Sequence, residues 1–190
     1  FKIGGQARLF VDVRSKNAAE KALSLFYNFG ISPLVIGNGS NLLFPDEEFT
    51  RPVLKFSFSD ILVSENTITA DAGAMLALVS MQAQKNSLTG LEFAQGIPGT
   101  VGGAIVMNAG AYGGEISDVL VSSTYFLNGE IRTIPLSEHE FGYRESFYKN
   151  NPECIILSAE FKLPSGDSSE IADKMRDFSL RRREKQPLDL

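Results

Sequence analysis

Residues 90–115 read GLEFAQGIPGTVGGAIVMNAGAYGGE and hold eight of the chain's seventeen glycines, interleaved with Ile97, Val101, Ile105, Val106 and Met107. Removing side chains lets another group approach the backbone closely, while the aliphatic residues keep the segment buried. Gly96, Gly99, Gly102 and Gly103 are spaced too irregularly for one helix face, and Pro98 interrupts strand pairing. The spacing suits a backbone wrapped around a flat, partly apolar group, with amide donors offered at several points. The alternative is a glycine-rich turn between closely packed helices. Spacing alone does not name the ligand.

A second loop lies upstream. In LVIGNGSNLLFPD an apolar strand runs straight into Gly37, Asn38, Gly39, Ser40 and Asn41. Glycines there let consecutive N–H groups converge on an anion, and Ser40 and Asn41 add side-chain donors, so a pyrophosphate fits. A plain glycine turn between two strands fits as well. The dinucleotide fingerprint is excluded because Leu42 stands at its third glycine and Phe44-Pro45 prevents the helix it must open. No Gly-Lys-Ser/Thr follows, so it is not a Walker loop.

Working outward, residues 9–13 read as a strand, followed by a helix capped by Asn17 with Glu20 at the capping-box position, Ala19, Leu23 and Phe26 on one face, and Gly30 as its stop. Short strands at 33–36 and 53–56 complete a small α/β lobe. The pattern then changes: a strand pair turning at Glu65-Asn66, and a helix in AMLALVSMQAQKN with Met75, Leu78 and Val79 inward. Beyond the glycine segment come a hairpin turning at Asn128-Gly129, a strand in CIILSAEFKL, and a last helix opened by Asp167 with Glu170 and ended by Pro187. The expected organisation is α+β, with residues 1–56 as a first lobe and 57–190 as a second.

Composition narrows the function classes. With 190 residues, 43% of them hydrophobic, the chain buries a real core. Its net charge of -5 argues against nucleic acid as a partner, and Arg181-Arg182-Arg183, flanked by Glu184 and Lys185, reads as a solvated helix face. No apolar run approaches the roughly 20 residues of a membrane helix. One cysteine, Cys154, and one histidine, His139, make neither an internal disulfide nor an ordinary zinc site. Cys154 reads as a buried strand thiol in a reducing, cytoplasmic setting, and His139, in SEHEF, as part of an exposed loop without a role.

GNGSNLL, GLEFAQGIPGTVGGAIVMNAGAYGGEISDV, FGYRESFYK and RRREKQPL, in this order, closely resemble the MurB family of UDP-N-acetylenolpyruvoylglucosamine reductases over essentially the whole chain. The resemblance implies a two-lobed FAD-binding domain of the vanillyl-alcohol oxidase (PCMH) type. Gly37, Asn38, Gly39, Ser40, Asn41 and Leu42 would hold the FAD pyrophosphate. Gly96, Ile97, Pro98, Gly99, Thr100, Gly102, Gly103 and Ala104, with Asn108, Gly110 and Ala111, would line the rest of the cofactor. No histidine stands in the glycine loops, so the FAD is expected to be noncovalent.

The same resemblance implies that NADPH reduces the FAD, which then reduces the enolpyruvyl group of UDP-N-acetylglucosamine enolpyruvate to give UDP-N-acetylmuramate for peptidoglycan. In GYRES, Arg144 takes the position of the family's catalytic arginine, with Tyr143 beside it; from the residues alone a surface ion pair of Arg144 with Glu140 or Glu145 is the preferred reading, and the resemblance turns it to catalysis. The family's proton-donating serine and catalytic glutamate lie beyond the point where this sequence stops, and Ser40, Ser146 and Ser158 are no stand-ins. The chain, beginning at Phe1 and ending at Leu190, is therefore expected to be the FAD-binding fragment of a reductase that is monomeric at full length. A noncatalytic flavin- or nucleotide-binding module is the alternative.

Overall fold

In the computed structural model, which describes residues 4–185, two sheets divide the strands between them. The first is parallel. Strand β1 (Phe10–Val13) leads through helix α1 (Lys16–Asn28) to β2 (Leu34–Ile36), and β3 (Val53–Phe56) inserts between them, pairing Phe10 and Leu34 with opposite sides of Val53. A parallel pair needs such crossovers, because the chain must return to the same end of the sheet. Helix α1 starts one turn edge earlier than Asn17 suggests. Ser15 is the cap: its extended backbone lets Oγ accept from the Ala18 amide at 3.2 Å, while Asn17 already lies inside the helix. Gly30 ends it at φ +64°.

The second sheet is antiparallel, ordered β4-β5-β10-β8-β9. Strands β4 (Ile61–Ser64) and β5 (Thr67–Asp71) turn at Glu65, φ +52°. Helix α2 (Leu76–Lys85) follows, then α3 (Val101–Val106), the two-residue strands β6 (Gly110–Ala111) and β7 (Gly114–Glu115), and the hairpin β8 (Leu120–Leu127) and β9 (Glu130–Pro135). That hairpin turns where expected, with Asn128 at φ +51° and Gly129 at φ +87°. The short helix α4 (Phe147–Asn150), the central strand β10 (Ile155–Lys162) and helix α5 (Ser168–Lys185) complete the fold. Asp167 caps α5 by accepting from the Ser169 and Glu170 amides. The expected helix end at Pro187 lies outside the described residues.

The helix α2 stripe differs from expectation. The helix begins at Leu76, and Leu76, Val79, Ser80 and Ala83 face inward at i, i+3, i+4 and i+7, while Leu78 is 48% exposed and Met75 half-buried. Cys154 is buried as expected, one residue before β10. His139 is not in an exposed loop: it is fully buried, its Nε2 2.7 Å from Ser123 Oγ and its Nδ1 2.9 Å from the Pro135 carbonyl, with its ring stacked on Phe141. Ser123 Oγ also meets the Tyr148 hydroxyl at 2.6 Å, so three polar side chains satisfy one another inside the sheet-helix junction. The polar neighbours of His139 in sequence hid this, because the turn after β9 folds its ring back over β8.

Candidate functional site

The two glycine loops, 60 residues apart in sequence, meet. The isolated bridge of Met75 with Thr100 is closed by Leu76 N–H to the Gly99 carbonyl (3.0 Å) and Val101 N–H to the Ala74 carbonyl (2.9 Å), which pins the 96–100 turn to the start of α2. Asn38 Nδ2 reaches Met75 Sδ at 2.6 Å from the other loop. Gly37 is where backbone and side chain come closest: a Cβ there would overlap Thr100, lying 2.8 Å from Cγ2, 3.0 Å from Cβ and nearer still to Oγ1. Only glycine allows that approach.

Beyond Gly37 the first loop opens outward. Gly39 is left-handed at φ +69° with nothing within 4 Å of its added-Cβ position, and Asn38, Ser40, Asn41 and Leu42 are exposed. Among the described residues, the amides of Asn38, Gly39, Ser40 and Asn41 donate to no protein acceptor, the turn being closed by Leu42 N–H to the Gly39 carbonyl. A short run of free amides around a left-handed glycine is a concave anion-binding shape.

Residues 101–106 correct the expectation of an irregular wrap: they are helix α3, and Gly102 and Gly103 both lie in it. Their faces differ. A Cβ on Gly102 would sit 3.1 Å from that of Ala72, so this glycine lets α3 press on the end of β5, and its amide donates to the Ala72 carbonyl. Gly103 is exposed, and its added Cβ would meet only Thr100 Oγ1, at 3.7 Å; Gly99 is similarly open, with Ser40 Oγ at 3.8 Å. Gly39, Gly99 and Gly103 thus surround space that side chains would fill, which is what a large planar cofactor with phosphates requires. Thr100 and Ala104 are buried beneath it, Ile97 packs on the core, and Pro98 is exposed.

Arg144 is carried by the turn before α4, in the left-handed region at φ +58°. Its guanidinium donates to the carbonyls of Asn108 (3.4 Å) and Gly110 (3.2 Å), at the end of the glycine segment, and lies 5.4 Å from the centroid of the Tyr143 ring, which is 87% exposed. The ion pair with Glu140 or Glu145 does not form; Glu145 pairs with Lys149 instead. Asn108 is buried and its amide is engaged within the protein, donating to the Gly142 carbonyl and accepting from Ser117 N–H, so it fastens the Arg144 turn to the glycine segment. Ser146 does the same, donating to the Val106 carbonyl at 2.7 Å. Gly110 and Ala111 form the strand opposite Glu115, whose carboxyl is held below its usual range by hydrogen bonds from Ser117 and Asn108 and by the charge of Arg144. The Glu115 carboxylate was not visible as a neighbour of Arg144 in sequence, 29 positions away. Nor was Arg182, which leaves the solvated face of its triplet to donate to the Gly96 carbonyl, while Arg181 stays outside and pairs with Asp177.

A cavity of about 480 Å³ beside Phe10, Ile36, Phe44 and Phe49 borders the first loop, and one of about 420 Å³ between α2 and α5 reaches Gln95, next to Gly96 in the second. No described helix is long and apolar enough to cross a membrane.

The family model described as "FAD binding domain" matches residues 7–134. The UDP-N-acetylenolpyruvoylglucosamine reductase of Pseudothermotoga lettingae is 42% identical over 190 residues, covering 100% of this chain and 65% of its own length. The crystal structure of the UDP-N-acetylenolpyruvylglucosamine reductase of Thermus caldophilus superposes with a TM-score of 0.80 at 31% identity, over 94% of this chain and 63% of that one. An alkyldihydroxyacetonephosphate synthase, at a TM-score of 0.59, 18% identity and coverage of 82% and 31%, shares the fold alone. The chain is therefore an α+β, two-lobed FAD-binding fold of the vanillyl-alcohol oxidase type. It spans 62 to 65% of the length of the curated relatives it matches.

Proposed function

The chain belongs to the FAD-binding domain family, and on that footing we propose that it is the cofactor-binding part of a cytoplasmic, NADPH-dependent reductase that converts UDP-N-acetylglucosamine enolpyruvate to UDP-N-acetylmuramate. Residues 1–56 and 57–190 are its two lobes, with FAD held noncovalently where the glycine loops meet. The observation that carries this reading is the set of contacts along residues 99–110: the loop of free amides after Gly37 meets Thr100, Gly99 and Gly103 leave open space, and an arginine is fastened to the carbonyls of Asn108 and Gly110.

Asn38, Gly39, Ser40 and Asn41 present amides to the pyrophosphate, and Gly103, without a side chain, leaves room for the cofactor against α3. When bound, FAD supplies the hydride, taken from NADPH and delivered to the enolpyruvyl double bond. Arg144 clamps the substrate carboxylate with a planar fork of donors as negative charge spreads onto it. Its two carbonyl partners orient that fork without neutralising it, and the left-handed backbone is the sort of strain that accumulates at functional positions. Tyr143 stands beside it, its ring 5.4 Å from the guanidinium and exposed.

The test is a flavin spectrum followed by rapid mixing. FAD should co-elute with the purified protein, NADPH should bleach it, and the enolpyruvyl sugar should restore it. Arg144→Ala should keep the bleaching and slow the restoration by about 100-fold or more, the range for removing one donor to developing charge. Unchanged restoration removes Arg144 from the site; retained flavin that neither NADPH nor the sugar alters in the full-length protein points instead to a binding module.

A further inference from the structure

Arg182, on the last turn of α5, folds inward over the start of the glycine turn, where its Nη1 donates to the Gly96 carbonyl. A Cβ at position 96 would lie 2.6 Å from Arg182 Nε and 2.9 Å from Cδ, so any side chain there would displace the arginine from the carbonyl it holds. At the same junction stand the buried side-chain polar atoms that lack a hydrogen-bond partner among the described residues, Arg182 Nε and Gln95 Oε1. Arg181 and Arg176 discharge onto Asp177 and Asp173, yet none of the ion pairs among the described residues includes Arg182. A buried donor left open and a cation left without a carboxylate are each costly, and a solvated face of α5 was available at the next residue.

We propose that Arg182 is the positioning residue of the cofactor loop: it holds Gly96, and with it the turn to Thr100, in the shape that accepts FAD, and it keeps an uncompensated positive charge beside the flavin. This rests on the FAD-binding reading above. The turn has few other anchors on that side: Gly99 and Val101 are tied to α2 and the end of β5, but the Gly96 carbonyl is held by Arg182. The charge has a separate consequence. Two-electron reduction makes the flavin more negative, so a nearby cation stabilises the reduced over the oxidised form and raises the midpoint potential. A carboxylate partner would cancel that effect, and among the described residues Arg182 has none. The cofactor site is thereby coupled to the last turn of α5.

The experiment compares wild type, Arg182→Gln, Arg182→Lys and Gly96→Ala as full chains, reading FAD affinity by fluorescence titration and midpoint potential against a dye couple, with circular dichroism to establish folding. Arg182→Gln should weaken FAD binding at least about tenfold, the lower range for a hydrogen bond to a charged group. It should also lower the potential by about 30 mV, the equivalent of a tenfold change in the ratio of affinities for reduced and oxidised flavin in a two-electron couple. Arg182→Lys should keep the potential while losing part of the affinity, since lysine carries the charge without the fixed fork. Gly96→Ala, which pushes the guanidinium aside, should weaken FAD binding as Arg182→Gln does; should Arg182→Gln not fold, this variant and Arg182→Lys carry the test. Wild-type affinity and potential in a folded Arg182→Gln protein overturn the proposal, and equal potentials in the Gln and Lys variants overturn the role of the charge. If the wild type itself retains no FAD, the FAD-binding reading fails first and takes the proposal with it.

Discussion

The two sheets hold together by different means. In the five-stranded sheet, Ile156, Leu157, Ser158 and Ala159 of β10 are buried in succession and Phe161 is wholly buried, so the central strand is covered on both faces. In the three-stranded sheet, β2 is only half-buried along its length and Phe10 of β1 is 52% exposed. Of its buried residues, Val13, Leu54 and Phe56, though not Val53, join one continuous cluster with Phe58, Ile68 and the second sheet's core. The first lobe therefore leans on the second rather than enclosing a core of its own. It is also the lobe that carries the open loop after Gly37. A ligand bound there stabilises the folded state by mass action, and the lobe with less burial has the more to gain.

That contrast is most exposed to failure through burial itself. Phe161→Ala should cost about 3–5 kcal/mol in urea denaturation, against no more than about 0.5 kcal/mol for Phe10→Ala. Equal losses would mean the lobes are equally self-sufficient. The two faces of α3 sharpen the same point at smaller scale. Gly102→Val forces a branched side chain against Ala72 and should cost about 1–3 kcal/mol. Gly103→Val, with open space around its Cβ, should leave stability within about 0.5 kcal/mol yet abolish flavin retention. Normal flavin content in a folded Gly103→Val protein would take the cofactor off this face.

The buried polar junction of the second lobe gives a pH-dependent test. Desolvation pushes the His139 pKa down, opposed by its hydrogen bonds to backbone at Pro135 and Leu136. The unfolded chain then takes up the proton first as pH falls below about 6.5, so stability is full above that value and declines toward the folded pKa, by at most about 1.4 kcal/mol per pH unit. Denaturation at pH 7.5 and 5.5 should show this decline in wild type and its loss in His139→Gln. A wild-type stability that is flat across the window would contradict the burial. A stabilising change is expected at Arg144. Its left-handed backbone costs about 1 kcal/mol with a side chain present, so Arg144→Gly should raise stability by about that much while losing the sugar-dependent step. A destabilised variant would show that the bonds to Asn108 and Gly110 outweigh the strain.

Local signals were legible wherever neighbours in sequence set the conformation. The Asn128-Gly129 hairpin, the Glu65 turn, Gly30 as a helix stop and the Asp167 cap all depend on backbone preferences within a few residues. Even so, Ser15 rather than Asn17 capped α1: both residue types are good caps, and it is Ser15 that holds the extended backbone a cap needs. Amphipathic placement failed at Leu78 because the buried stripe runs through Ser80 and Ala83, whose small side chains carry little hydrophobic signal in the sequence.

The sequence by itself determined that glycines crowd two loops, that one of them runs off an apolar strand, and, through resemblance, which family the motifs match. These follow from residue type and spacing, which are local. The tertiary structure alone decided that Gly37 presses on Thr100, that Gly102 packs while Gly103 faces outward, that His139 is buried, and that Arg144 and Arg182 anchor opposite ends of the glycine segment. Each of these is a contact between residues far apart in the chain, and whether a polar side chain meets solvent, a carbonyl or a cofactor depends on which strand or helix arrives beside it.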